Sequence, residues 1–259
     1  MSLTALPYVN WIFWAALTSG SLLVVGLTEV LGGTTRGYRL FMAAFACVCV
    51  AILVLSELNL PMDVAAASTQ EVRRPLIVAF AALTLIYLAA SVAQWPRSGL
   101  AVLAALAGLA ALVVLAAAGP SGSGALFGAQ LVLAALSLGS VNAAMLLGHW
   151  YLVTPRLSPL PLRRMMWFAV GALVLQAIAF VIALVVVPGN ALVGGLGLLT
   201  ALRLVVGILL PIGIAVLAIL ASRAASLQAS TGLLYIGLAL VMAGSIAGAS
   251  ITYLTGVPV

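Results

Sequence analysis

The chain is predicted to be all-α, a polytopic integral membrane protein with eight transmembrane helices and no separate soluble domain. Three observations predict this. Hydrophobic residues make up 66% of its 259 positions and charged residues only 5%, against roughly a quarter charged in soluble domains. The mean hydropathy is +1.35. The apolar residues fall into runs long enough to cross a bilayer, which takes about 20 residues per helix.

Eight runs qualify, over approximately 8 to 32, 38 to 57, 75 to 95, 99 to 118, 125 to 150, 165 to 187, 194 to 222 and 231 to 255. Gly, Pro, Ser and Arg interrupt them at Gly32-Gly33, Pro96-Arg97, Gly119-Pro120-Ser121 and Pro188-Gly189-Asn190. The first run has no basic stretch before it and is of full spanning length, so it reads as a helix and not as a cleaved signal. In the longest connection, PMDVAAASTQEV reads as a solvated lid, with a short surface helix as the alternative.

All ten basic residues are arginine. With Ala, Leu, Val and Gly so abundant, that points to a GC-rich coding sequence and a bacterial inner membrane. Arg36, Arg39, Arg97, Arg156, Arg163, Arg164 and Arg223 fall in or beside the first, third, fifth and seventh connections. Arg73 and Arg74 fall on the other side, with Glu57, Asp63 and Glu71. By the positive-inside rule both termini face the periplasm. The net charge of +6 is therefore topological, and neither nucleic acid nor an acidic partner is implied.

The chain reads as a single transmembrane domain, 1 to 259, with a faint duplication. Leu17-Thr18-Ser19-Gly20-Ser21 resembles Leu136-Ser137-Leu138-Gly139-Ser140. A basic turn follows each of these helices, RGYRLF in one case and LRRMMWF in the other. The pattern divides the chain into halves 1 to 122 and 123 to 259, each of four helices.

Ionisable groups within lipid cost roughly 2.5 to 3.5 kcal/mol on insertion scales, so each needs a partner or a role. Arg203 lies in the seventh run, about ten residues in and near mid-membrane by rise. Pro211 interrupts the same run and frees a carbonyl. An arginine beside a kink suits an anionic or carbonyl-bearing ligand such as a quinone oxygen. Pairing with a carboxylate, or reaching to the surface, is the alternative. Glu29 and Glu57 are the acids to consider as partners, though neither is level with Arg203.

His149, the only histidine, shares a helix face with Asn142, seven residues earlier. It shares a depth with Glu29. A carboxylate and an imidazole together suit a quinone head group, with His149 passing a proton. Alternatively His149, Trp150 and Tyr151 anchor a helix end at the membrane surface. Gln176 and Thr200 are the other polar residues expected at mid-membrane.

One histidine is too few for bis-histidine haem ligation, and no metal-ligand set stands out. Cys47 and Cys49 are two apart on different faces of a helix and read as small buried hydrophobes. Nucleotide-loop, zinc-protease, thiol-redox and serine-hydrolase motifs are absent. Gly244 and Gly248, extended by Ala247 and Ser250, form a small-residue stripe for close helix packing.

The plan resembles the membrane anchor subunits of the polysulfide and dimethyl sulfoxide reductase class. The likeness is one of architecture: eight helices, two four-helix halves, outward termini, no haem and a quinone site of isolated polar residues. The segment TGLLYIGLALVMAGSIAGASITYLTGVPV is similar to the end of such anchors, with Ser245 and Gly248-Ala249 where they carry an acid and an arginine. The resemblance implies a haem-free subunit of an electron-transfer complex. It would bind quinone or lipid and anchor partner subunits, with Arg203, and separately His149 with Glu29, orienting the head group. A small-solute transporter and a ligand-free assembly subunit are the other two readings.

Overall fold

The computed structural model describes residues 5–60, 68–95, 98–117, 124–154, 157–186 and 196–255. Among them are eight helices long and apolar enough to span a membrane. They are α1 (Ala5–Val30), α2 (Arg36–Leu58), α3 (Gln70–Ala93), α4 (Ser98–Ala117), α5 (Gly124–Val153), α6 (Leu160–Val186), α7 (Gly197–Arg223) and α8 (Leu227–Thr255). The protein is therefore an all-α, multi-pass membrane protein, and both ends of the described chain lie on one side, here termed the terminal side.

The elements start and stop for local reasons. Thr35 caps α2 by accepting a hydrogen bond from the Tyr38 N–H. Helix α6 opens earlier than the apolar run, at Leu160, because Pro161 sits in the first turn, where no backbone donor is needed. Helix α3 likewise opens at Gln70, ahead of Pro75. The carbonyl deprived of its donor there belongs to Glu71, which is exposed. Gln70, Glu71 and Val72 are the first turn of α3, not part of a separate surface helix; Ser68 and Thr69 form the turn before it, and 61–67 lie outside the described residues.

Helices α1 and α5 form the centre. Their most apolar windows are 83% and 72% buried, whereas no other span exceeds 56%. Each half closes on itself in the same cyclic order: α1 to α2 to α3 to α4 and back to α1, then α5 to α6 to α7 to α8 and back to α5. The matched pentapeptides meet where α1 crosses α5. A Cβ on Gly20 would overlap the Ala135 carbonyl, and one on Gly139 would stand 2.5 Å from the Gly20 Cα. The Asn142 amide donates across this crossing to Ser21 Oγ at 3.0 Å. Small residues thus let two backbones touch, and the polar groups beside them fasten the contact.

The outward-facing leucines, valines and isoleucines of α2, α3, α6 and α7 are exposed, as lipid-facing surfaces require. Cys49 is buried and Cys47 half-buried; both are free.

Candidate functional site

The site is built around a local widening of α7. From Leu202 to Leu209 the helix is a π-helix, flanked by α-helical turns Gly197–Ala201 and Leu210–Arg223. Pro211 stands just beyond it and has no N–H to donate back. The wider turn takes up that defect: the Leu210 N–H bonds to Val205 O, five residues back, and the helix continues without a break. Such wide turns are found preferentially where a side chain is being set for function.

Arg203 lies in this segment and is 1% exposed. It stands six residues beyond Gly197, or about 9 Å of rise. That places it in the terminal-side half of α7, short of the helix's own midpoint, because the helix begins later than the apolar run. Helix α8 comes close on one flank, where Gly207 and Gly244 press backbone to backbone: a Cβ on Gly207 would stand 2.5 Å from the Gly244 Cα. The close approach expected of Gly244 is thus made to α7. Gly248, one turn further on, lines a cavity.

That cavity holds about 20 Å³, room for one water-sized occupant. Its walls come from α1, α5, α7 and α8, including Phe13, Phe127, Gln130, Arg203, Ser245 and Thr252. Three of these side chains carry buried polar atoms with no hydrogen-bond partner among the described residues. They are Nε and Nη1 of Arg203, both amide atoms of Gln130, and Oγ of Ser245. Buried polar groups are almost always paired, and each unpaired one costs roughly 1 to 3 kcal/mol. Five such atoms around one small cavity are the signature of a ligand or ordered-water site.

Sequence reasoning singled out Arg203, and named Ser245 and Gly248-Ala249 only through the resemblance of the last helix, without placing any of them beside it. Gln130 was detectable as the lone amide in the otherwise apolar first half of α5. Ser245 gives no such signal, since serines are frequent in these helices.

The other candidates have different partners. Glu29 accepts a hydrogen bond from Tyr87 Oη at 3.2 Å and faces Arg39 Nε at 3.8 Å. His149 is exposed at the end of α5 opposite the terminal side, with Nδ1 2.9 Å from Tyr235 Oη of α8. Asn142 is turned to Ser21, as described above, and not towards His149. Gln176 accepts from Ser137 Oγ at 2.8 Å, tying α5 to α6. Thr200 Oγ1 donates to Leu196 O at 3.2 Å within α7.

Arg73 is not the solvated loop residue its sequence position implies. It is 2% exposed inside α3 and donates from Nε and Nη2 to the two oxygens of Glu57, at 3.0 and 2.9 Å. Nη1 donates to Thr69 Oγ1 at 2.9 Å. Its guanidinium lies 5.7 Å from the Trp11 ring centroid. Glu57 is thus committed to Arg73 and, at 3.5 Å, to Arg74; it is not the partner of Arg203.

No cluster of three or more potential metal ligands occurs among the described residues. The fold and site together define an integral membrane protein of eight helices with a small polar cavity inside the bundle. Neither the family models nor the curated proteins compared with the chain give a match.

Proposed function

We propose that this chain is a haem-free membrane subunit of an electron-transfer complex, binding the head group of a quinone between α1, α5, α7 and α8. The observation that carries the reading is the convergence of Arg203, Gln130 and Ser245, with unpartnered buried polar atoms, on one cavity. An arginine N–H, an amide NH2 and a hydroxyl are all donors, and they suit the two lone pairs of a quinone carbonyl. The volume admits that oxygen and not a ring, so seating the ring requires the side chains of Ile12, Phe13, Phe127 and Leu131, which line the same space, to move apart. With one histidine in the whole sequence, this chain by itself offers no bis-histidine haem site. Redox groups belong to partner subunits.

In this proposal the membrane is a bacterial inner membrane and the terminal side is periplasmic. Arg36, Arg39, Arg163, Arg164 and Arg223 lie at the opposite helix ends, which supports that orientation.

The test is binding of a short-chain quinone to the reconstituted chain, followed by quenching of tryptophan fluorescence. Saturable binding is expected, weakened roughly tenfold or more in Arg203→Gln, the equivalent of about 1.4 kcal/mol or more. Non-saturating quenching, or equal binding by the variant, sinks the quinone reading.

The cavity also adjoins α1 and α5, the helices through which the two halves meet. That position favours a small-solute transporter as the second reading. Uptake of solute into liposomes holding the chain alone would select it.

A further inference from the structure

We propose that the Arg203 cavity binds a halide-sized monovalent anion, which serves as the counter-ion that none of the described residues provides. The inference rests on reading this cavity as the ligand site, and it names the charge and size of what occupies it.

The argument begins from a contrast between two arginines. Arg73 and Arg203 are both almost wholly buried, each near the terminal-side end of the third helix of its half. Arg73 has a bidentate carboxylate in Glu57, at the end of the preceding helix α2. Arg203 has none. The preceding helix in its half, α6, contains no acid at all. Nor does any other part of that half: the four acidic side chains of the sequence are Glu29, Glu57, Asp63 and Glu71. Glu29 and Glu57 are held by Arg39 and Arg73, and Glu71 is exposed. Asp63 lies outside the described residues.

A guanidinium cannot shed its charge to escape burial. Left uncompensated in a low-dielectric interior, its charge is strongly destabilising, more so than the loss of any single neutral hydrogen bond. A water molecule in the cavity would satisfy hydrogen bonds but leave the charge. An anion accepts from the donors and also supplies the charge. The other polar side chains at the cavity suit it: Gln130 can present its NH2 edge and Ser245 its hydroxyl, so both donate alongside Arg203. About 20 Å³ limits the occupant to one atom of roughly water size. A single-atom halide comes nearest to that limit, chloride before bromide, while the polyatomic sulfate and phosphate exceed it by far. The remaining walls are apolar apart from Thr252, whose hydroxyl donates to Gly248 O, and none carries a negative group that would repel it.

The experiment uses the full chain purified without halide in sodium gluconate. Its unfolding midpoint is followed as bromide replaces gluconate at fixed ionic strength, with sulfate as a second control. A ligand bound only by the folded state raises stability with the logarithm of its concentration above Kd. The midpoint is expected to rise with bromide and chloride, and not with sulfate. Excess broadening of the bromide NMR line reports the same site directly.

Arg203→Met should abolish both effects. Gln130→Leu and Ser245→Ala, which leave the charge in place, should each weaken halide binding several-fold and keep the inference testable if Arg203→Met does not fold. A midpoint indifferent to halide, or an equal halide response in wild type and Arg203→Met, overturns the proposal and leaves water as the occupant. Quinone binding measured in gluconate separates the two readings. Quinone bound with no halide response removes the anion alone, and a halide response without quinone binding removes the quinone alone. Competition between the two places both in this cavity.

Discussion

Gly139→Ala should be among the most damaging single-methyl additions in this protein. A Cβ at that position stands 2.5 Å from the Gly20 Cα and closer still to the Gly20 carbonyl carbon and the Ser21 nitrogen. All three are backbone atoms of α1, so no side chain can rotate away. Carbon contacts are comfortable at about 3.5 to 4.0 Å, so α1 and α5 must part by about 1 Å or more. These are the two most buried spans, each packed against three or more others, and the separation propagates through both halves. The Asn142 to Ser21 hydrogen bond, 3.0 Å long, would be stretched past the range of a bond. Overpacking typically costs about 1 to 3 kcal/mol. An interhelical hydrogen bond in a membrane adds about 0.6 to 1.7 kcal/mol. The expected loss is about 2 to 4 kcal/mol. Reversible unfolding by detergent titration measures it. Gly171→Ala is the internal control, because a Cβ there meets nothing within 4 Å. It should range from no change to about 1 kcal/mol of stabilisation. Equal stability of Gly139→Ala and Gly171→Ala would refute the close crossing.

Two further outcomes follow from the ion pairs and the arginine distribution. Glu57→Gln should destabilise by about 3 to 5 kcal/mol, since it removes the carboxylate that accepts from Nε and Nη2 of buried Arg73, and Glu57→Leu with Arg73→Met should recover most of the loss in the same titration. In a chain with Cys47→Ala and Cys49→Ala, Asn59→Cys should react with an impermeant maleimide from outside intact cells and Ser226→Cys only after lysis; the reverse pattern would invert the proposed orientation.

The number, order and approximate limits of the helices were legible in the sequence, because lipid imposes a length and an apolarity that any spanning segment must meet. Arg203 was legible for the same reason: a charge in such a segment is conspicuous wherever it points. The resemblance of residues 17–21 to 136–140 was also visible, but not that Gly20 and Gly139 press on one another. Periodicity assigns a face to each glycine and says nothing of which helix lies opposite.

Partner choice is what only the tertiary structure decided. Counting residues set Glu29 level with His149, yet Glu29 turns to Tyr87 and Arg39 while His149 turns to Tyr235. Depth is a one-dimensional coordinate, and contact also needs the rotation of each helix and its place in the bundle. Those depend on side-chain packing across helices far apart in sequence. The same reason hid Gln130 and Ser245 as neighbours of Arg203, 73 and 42 residues away in the chain. Composition alone determined that the second half has no carboxylate to offer; folding determined that its buried arginine faces a cavity instead.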